Sequence, residues 1–499
     1  MAASVPSHAL GITRYQLFCA TAASLGCFNF GWNFGAMNLP EDVIARCAAG
    51  PQQRIQGLPS CLPANNAVWG LTVGVFALGC MTGAIGCTRY ADMYGRRAVL
   101  LYSNIFVLCS TALYAAAVNI PMLAVARYLA GVSSGCALGT FSAYVAEITT
   151  QRARCTLGSM LQANISNGIA LALLLSLGLT KPPLWRVLFS MTGAIAIANV
   201  ALLTMCVESP KWLVSKNRLP EARVALQRLR GSADCTEEFD TLVDNVRAEM
   251  GQDAYTATII DLLRGRTPDN LRHQLVVALV CIVFQQVSGM SGVLFFSTTL
   301  FKSITAPVVG YSAAPTMAQI LTSVLAVVGV AATFAGMFAA GRFGRRTLML
   351  FAHAVLALCS LLIFVGSMWN INGLAIAMVF LFYSAFLTGP GPLPWVIPIE
   401  MTPIYAVSAI VAVMGGVGYT LIFAVGMVFP SLHAALGGYT FLIFAALNLL
   451  AVAVFALVVP ETKDRGTTAM IQVHCVGVHN VMRQQYQLDK LADKGEEAA

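Results

Sequence analysis

Long apolar stretches separated by short polar turns occupy most of the 499 residues. A helix needs about 20 apolar residues to cross hydrocarbon, and stretches of that order fall at 15–37, 67–87, 98–118, 122–146, 155–179 and 185–207. A second set follows at 274–301, 314–340, 347–369, 374–399, 407–429 and 438–459. The pattern predicts an all-α membrane protein with twelve spans in two six-helix bundles, 15–207 and 273–460. A short segment at 1–14 precedes them, a polar segment at 208–272 joins them, and a tail at 461–499 follows.

The two halves repeat each other. Gly95-Arg96-Arg97, set between two apolar runs, recurs as Gly344-Arg345-Arg346 at a spacing of 249 positions. Glu147 at the end of span four answers to Glu400, and Glu208 answers to Glu461, both at a spacing of 253. A membrane chain built from two similar halves usually carries its substrate site near the bilayer midplane, where the repeats meet. The duplication therefore points to a transporter.

Composition supports a chain that lies mostly in lipid. Hydrophobic residues make up 58% and charged residues 10%, against about 25% charged in soluble domains. Basic residues set the orientation: Arg89, Arg96 and Arg97, then Arg152 and Arg154, then Arg342, Arg345 and Arg346 fall on one side, with fewer on the other. That side is read as cytoplasmic, with both termini and the middle segment. The net charge of +8 follows from this bias, so a nucleic-acid partner is not implied. The first apolar run is too long for the core of a cleavable signal and reads as span one.

Most of the 14 cysteines lie inside spans, where they read as small packing residues. Cys47 and Cys61 instead share the first external loop, in a compartment that permits disulfides. They are either bridged or two free thiols. In the middle segment, Leu219-Pro220-Glu221 opens one short helix with proline in its first turn, and Thr236 is placed to cap another. The tail is short and polar, and no catalytic constellation, metal cluster or cofactor motif appears anywhere.

Several ordered motifs carry a family resemblance: Asp92-Met93-Tyr94-Gly95-Arg96-Arg97, Tyr144-Val145-Ala146-Glu147 with Arg154 downstream, Glu208-Ser209-Pro210, Gln285-Gln286-Val287-Ser288-Gly289, Gly389-Pro390-Gly391-Pro392-Leu393-Pro394-Trp395 and Pro460-Glu461-Thr462. Together, over residues 15–466, they resemble the sugar porters of the major facilitator superfamily, which include the facilitative glucose transporters. The resemblance implies a monomeric carrier of a monosaccharide, a hexose first, in a plasma membrane or endomembrane and without a cofactor. Proton-coupled sugar or polyol symport and a transporter-like nutrient sensor are the alternatives. An enzyme is not implied.

Each motif also has a physical reading. The arginines with Asp92, Glu147, Glu208, Glu400 and Glu461 can form ion pairs between the bundles on one side of the membrane, which biases a two-state equilibrium; the plainer reading is orientation alone. Gln162, Gln285 and Gln286 are amides inside spans, and an amide both gives and takes hydrogen bonds, as a ring of hydroxyls requires. The plainer reading of each is helix-to-helix bonding. Pro390, Pro392 and Pro394 should break span ten, and the resemblance places Trp395 against the sugar. Phe295 and Ser291 in span seven complete the proposed lining.

Asn33 decides the coupling. Proton-coupled sugar porters resemble one another in having aspartate at this position, opposite an arginine that is Arg127 here. An amide does not titrate, which favours a uniporter and leaves Arg127 to face carbonyls or an aqueous cavity. Departures gather in the second half. Ser291 replaces an asparagine, Leu387-Thr388 a glutamate, and Gly418-Tyr419 an asparagine-tryptophan pair. Gly341 and Val407 replace charged residues of the second-half gate, which predicts a thinner lock there.

Overall fold

The computed structural model describes residues 12–38, 41–47, 54–55, 57–150, 153, 157–231, 235–251, 258–268, 271–310 and 313–463. Arg154, most of the 1–14 segment and the tail beyond Lys463 lie outside them. The first half contains α1 (Arg14–Gly35), α2 (Glu41–Ile44), α3 (Asn66–Tyr94), α4 (Arg96–Ala115), α5 (Ile120–Ile148), α6 (Met160–Leu179) and α7 (Trp185–Thr204). Short helices follow: α8 (Pro210–Ser215), α9 (Leu219–Arg230), α10 (Thr236–Gly251) and α11 (Ile259–Arg264). The second half holds α12 (Arg272–Val287), α13 (Met290–Val309), α14 (Ala314–Arg342), α15 (Arg345–Met368), α16 (Asn372–Thr388), α17 (Leu393–Met401), α18 (Ile404–Leu436) and α19 (Tyr439–Val458).

Among the described residues, eleven helical stretches are long and apolar enough to cross a membrane. The 22-residue α1 is a further helix of spanning length, less apolar because it carries Gln16, Asn29 and Asn33. Large apolar side chains face outward, with Phe338 66% and Phe351 67% exposed, as suits a hydrocarbon surround. Inside, α3 and α5 approach through Gly79, Gly83, Gly131 and Gly135, where an added methyl would fall on the backbone of the other helix. Close approach through small residues is how spans gain packing without a hydrophobic driving force. Asn104 donates to Asn199 at 3.1 Å, and Asn199 donates to Ala22 O at 3.0 Å, tying α4, α7 and α1 together.

The chain sorts into two compact units. The first comprises Met1–Ala254 with Leu294–Thr298 and Gln319–Val330; the second comprises Tyr255–Val293, Thr299–Ala318 and Ala331–Ala499. Parts of α13 and α14 therefore belong with the first unit, which a division at the middle of the sequence does not anticipate.

Two spans are interrupted. Span ten ends as α16 at Thr388, turns through Gly389–Pro392 and resumes as α17, where prolines remove amide donors. Span seven breaks after Ser288 at Gly289, which has φ +97°, and is non-helical again at Phe296. Only the span-ten break carried a proline signal. Pro220 does lie in the first turn of α9. Thr236 is the first residue of α10 rather than the residue ahead of it, and its hydroxyl accepts from Arg223 Nη2 at 3.2 Å.

The first loop is bridged by Cys47 and Cys61. It is also fastened to α7: Trp185 Nε1 donates to Ser60 O at 3.0 Å, and Arg186 Nη2 donates to Pro59 O at 2.8 Å.

The duplicated charges have a common geometry. Glu208 accepts from Arg97 N at 3.0 Å and Ala98 N at 3.3 Å, so its carboxylate sits on the open amides at the start of α4. Glu461 does the same for α15, accepting from Arg345 N at 2.7 Å and Arg346 N at 3.2 Å. An anion at a helix N-terminus satisfies unpaired N–H groups and complements the helix dipole. The glycine ahead of each helix makes room, since a Cβ on Gly95 or Gly344 would strike the carboxylate. Arginine completes the exchange: Arg97 Nε and Nη2 donate to Leu203 O and Thr204 O, 2.8 and 2.7 Å, at the end of α7. Arg346 Nη2 likewise donates to Ala456 O at 2.6 Å, in the last turn of α19.

Replacing Glu208 by Ala leaves two N–H groups open and should cost about 1–3 kcal/mol. Gly95→Ala, which expels the same carboxylate from a position with φ +103°, should cost a similar amount. Thermal melts in detergent should show the double variant little worse than the poorer single one; additive losses would contradict the shared role.

Candidate functional site

Among the described residues, the arginines of the duplicated motifs pair with acids of their own unit. Arg96 reaches Asp92 at 3.0 Å and Glu147 at 3.1 Å, all in the first unit. Arg345 reaches Glu400 at 3.1 Å in the second. These pairs join the foot of one helix to its own unit. Each acid lies at the end of a span adjacent in the same half, which brings it nearest the arginine of that half. Among the described residues the Arg345 side chain meets one carboxylate where that of Arg96 meets two, and Thr462 Oγ1 donates to Glu400 Oε2 at 2.5 Å.

In the first unit Arg127 is fully buried. Its Nη1 donates to Asn33 O at 2.6 Å and its Nη2 to Val73 O at 3.2 Å, with the guanidinium 4.6 Å from the Phe76 ring centroid. A cation in a span needs such partners, and the carbonyl reading of Arg127 describes what is found. The Asn33 side chain turns away from it, donating Nδ2 to Asn29 O at 2.9 Å and Asn29 Oδ1 at 3.1 Å. Asn33 Oδ1 is buried without a partner. Gln162, on α6, is half-buried.

Phe295 stacks on Phe34 at 4.1 Å between centroids, beside a contact that sequence did not reveal. Asn38 Nδ2 donates to Leu294 O at 2.6 Å and to Ser297 Oγ at 2.5 Å, while Asn38 Oδ1 accepts from Thr298 N at 3.2 Å. Leu294 and Thr298 are four residues apart, so this amide bridges the carbonyl and the N–H that an i to i−4 bond would join, across the non-helical Phe296. All of these residues belong to the first unit.

In the second unit Gln285, Gln286 and Ser291 form a chain. Gln285 Nε2 donates to Pro390 O at 2.7 Å and Gly391 O at 2.6 Å. These two bonds close the span-ten break and use both hydrogens of the amide. Gln285 Oε1 accepts from Gln286 Nε2 at 3.2 Å, and Gln286 Oε1 faces Ser291 Oγ at 3.5 Å. Gln286 therefore keeps an N–H for another partner, whereas Gln285 is taken up by backbone. Trp395, half-buried on α17, packs on a cluster that includes Leu275, Ala278 and Met414. On the far side of the span-seven break, Asn448 and His353 form a buried pair at 3.0 Å. A solitary histidine in an apolar run gave no sign of this partner in sequence.

Comparison with known proteins gives this arrangement a family. The model of the family described as sugar (and other) transporter matches residues 18–473. The mouse relative "Solute carrier family 2, facilitated glucose transporter member 3" is 31% identical over 467 residues, covering 91% of this chain and 92% of its own. Human "Solute carrier family 2, facilitated glucose transporter member 14" is 31% identical, covering 92% and 88%. Among solved structures, the inward open conformation of the xylose transporter XylE from E. coli aligns with TM-score 0.73 and 18% identity over 92% of this chain and 100% of that one. The same fold is seen in the major facilitator superfamily proton:xylose symporter XylE bound to 6-bromo-6-deoxy-D-glucose, with TM-score 0.72 and 20% identity over 92% and 99%. The apolar spans, the duplicated charged motifs and these matches agree: the chain belongs to the sugar (and other) transporter family.

Proposed function

We propose that this protein carries a hexose, glucose first, across a plasma membrane or endomembrane by facilitated alternating access, as a monomer with both termini in the cytoplasm. The observation that carries the uniport reading is the pairing of Arg127 with Asn33. The cation is met by two carbonyls and a ring, and the side chain at position 33 is an amide that neither binds nor releases a proton in the working pH range. Names of the relatives at about 30% identity support the substrate class, since they are facilitated glucose transporters.

The chain's own residues divide the work. Gln285 braces the span-ten break and is assigned a positioning role. Gln286, with a spare N–H, and Ser291 beside it are assigned the hydroxyls of the sugar. Gln162 offers a further amide, and Trp395 an apolar face suited to the C–H side of a pyranose ring. Phe295 and Asn33 support the lining. Asp92, Arg96, Arg97, Glu147, Arg154 and Glu208, with Arg345, Arg346, Glu400 and Glu461, are assigned to holding the helix feet whose rearrangement accompanies transport.

Purified protein in liposomes should take up radiolabelled glucose to equilibrium and ignore an imposed pH gradient. Accumulation driven by the gradient would mark a proton carrier in place of Asn33, and transport of fructose or inositol in place of glucose would change the substrate. No uptake of any of them would favour a sensor.

The two glutamines should separate in kinetics. Gln286→Ala should raise KM about three- to tenfold, the worth of about one hydrogen bond, with a melting temperature near wild type. Gln285→Ala should instead lower the melting temperature, because the buried carbonyls of Pro390 and Gly391 lose their donor. Equal effects of both on KM, with no difference in stability, would contradict this division.

A further inference from the structure

The break between α12 and α13 is held by side chains whose hydrogen-bond roles can be assigned in order. Asn448 of α19 donates Nδ2 to Ser288 O at 3.0 Å and to Phe444 O at 2.8 Å. Those two carbonyls fix which end of the amide is nitrogen, since the flipped amide would set oxygen against oxygen twice. Asn448 Oδ1 then faces His353 Nδ1 of α15 at 3.0 Å. An acceptor at that place requires the hydrogen on Nδ1. Neutral His353 is therefore the Nδ1–H tautomer, and its Nε2 is a bare acceptor that is buried without a partner. The ring packs on Phe455 at 4.9 Å between centroids.

Both ends of this arrangement touch the break. Ser288 supplies the carbonyl, and Gly289 leaves no room for a side chain, since a Cβ there would press on the Phe444 ring. Gln285 and Gln286 form the last turn before the break and Ser291 the first turn after it. The 3.5 Å contact from Ser291 Oγ to Gln286 Oε1 spans the break, so its length depends on the angle at which α12 gives way to α13.

We propose that His353 and Asn448 form a positioning relay that fixes the span-seven break, and through it the spacing of Gln286 and Ser291 toward the sugar. The relay rests on the sugar-site reading above. His353 orients the Asn448 amide by donating to its oxygen, and Asn448 then holds the Ser288 carbonyl. Neither side chain reaches the glutamines directly. Without the histidine donor the Asn448 oxygen is left buried and unpaired, and the amide that holds the Ser288 carbonyl keeps only its two contacts through Nδ2.

The first test is solid-state nitrogen NMR of the full chain labelled with 15N-histidine in liposomes, with His353→Phe used to identify the signal. A proton on Nδ1 and a bare Nε2 are expected; a proton on Nε2 overturns the relay. The second test is glucose uptake kinetics. His353→Phe keeps a ring against Phe455 but removes the donor, and should raise KM about three- to tenfold with kcat little changed. His353→Gln, which restores an N–H donor, should recover most of the loss. Adding His353→Phe to Asn448→Leu should raise KM no further than Asn448→Leu alone. A lower melting temperature with KM unchanged in His353→Phe would mean packing only and would overturn the proposal, as would additive effects in the double variant. If the wild type takes up no sugar, the transport reading and the sugar-facing half of this proposal fail together, while the nitrogen spectrum still decides the hydrogen-bond order.

Discussion

Hydrocarbon offers no hydrogen-bond partner, and every interruption of a spanning helix exposes backbone groups that water cannot reach. This constraint organises the polar side chains of the chain. Three interruptions are closed by amides from elsewhere in sequence: Asn448 holds Ser288 O, Asn38 bridges Leu294 O and Thr298 N, and Gln285 holds Pro390 O and Gly391 O. Amides suit the task because one side chain both donates and accepts. Asn38 uses both functions across one missing helical bond, and Gln285 uses two donors on adjacent carbonyls.

The same requirement explains the duplicated charged motifs. Glu208 and Glu461 sit on helix starts, and Arg97 and Arg346 on carbonyls in the last turns of other helices. The charges therefore complete the backbone hydrogen bonding of each half before they can do anything else. Transport needs helices that are broken in place and yet closed to lipid, and the amides make such breaks tolerable. Gln286, next to one of the amides so used, keeps a donor to offer.

Spans were legible because hydropathy over about 20 residues is a strong signal, and the span-ten break was legible because Pro390, Pro392 and Pro394 cannot continue a helix. The span-seven breaks were not. Gly289 is a single glycine, Phe296 carries no glycine or proline at all, and the partner that closes the second break lies 256 residues away from Leu294. Asn448 and His353 each stand as one polar residue in an apolar run, and Asn38 lies just past the end of the first run. Gln285 was read from its motif as a sugar contact, and only the positions of Pro390 and Gly391 show that its amide is occupied. The sequence sets the charged residues at the ends of spans, but partner choice depends on which span ends lie side by side, and a linear pattern does not contain that. Arg154 lies outside the described residues.

The central claim is that amides from remote helices replace missing helical hydrogen bonds at the breaks, and Asn38 tests it most directly because it spans a single i to i−4 gap. Amide hydrogen exchange of the protein in nanodiscs should be compared between wild type and Asn38→Leu, following the peptide that contains Leu294–Thr298. Asn38→Leu leaves the buried Thr298 N–H without its acceptor, a loss of about 1–3 kcal/mol, and should speed exchange there by about five- to 150-fold, with α15 and α19 unchanged. Unaltered protection across Leu294–Thr298 would contradict the account.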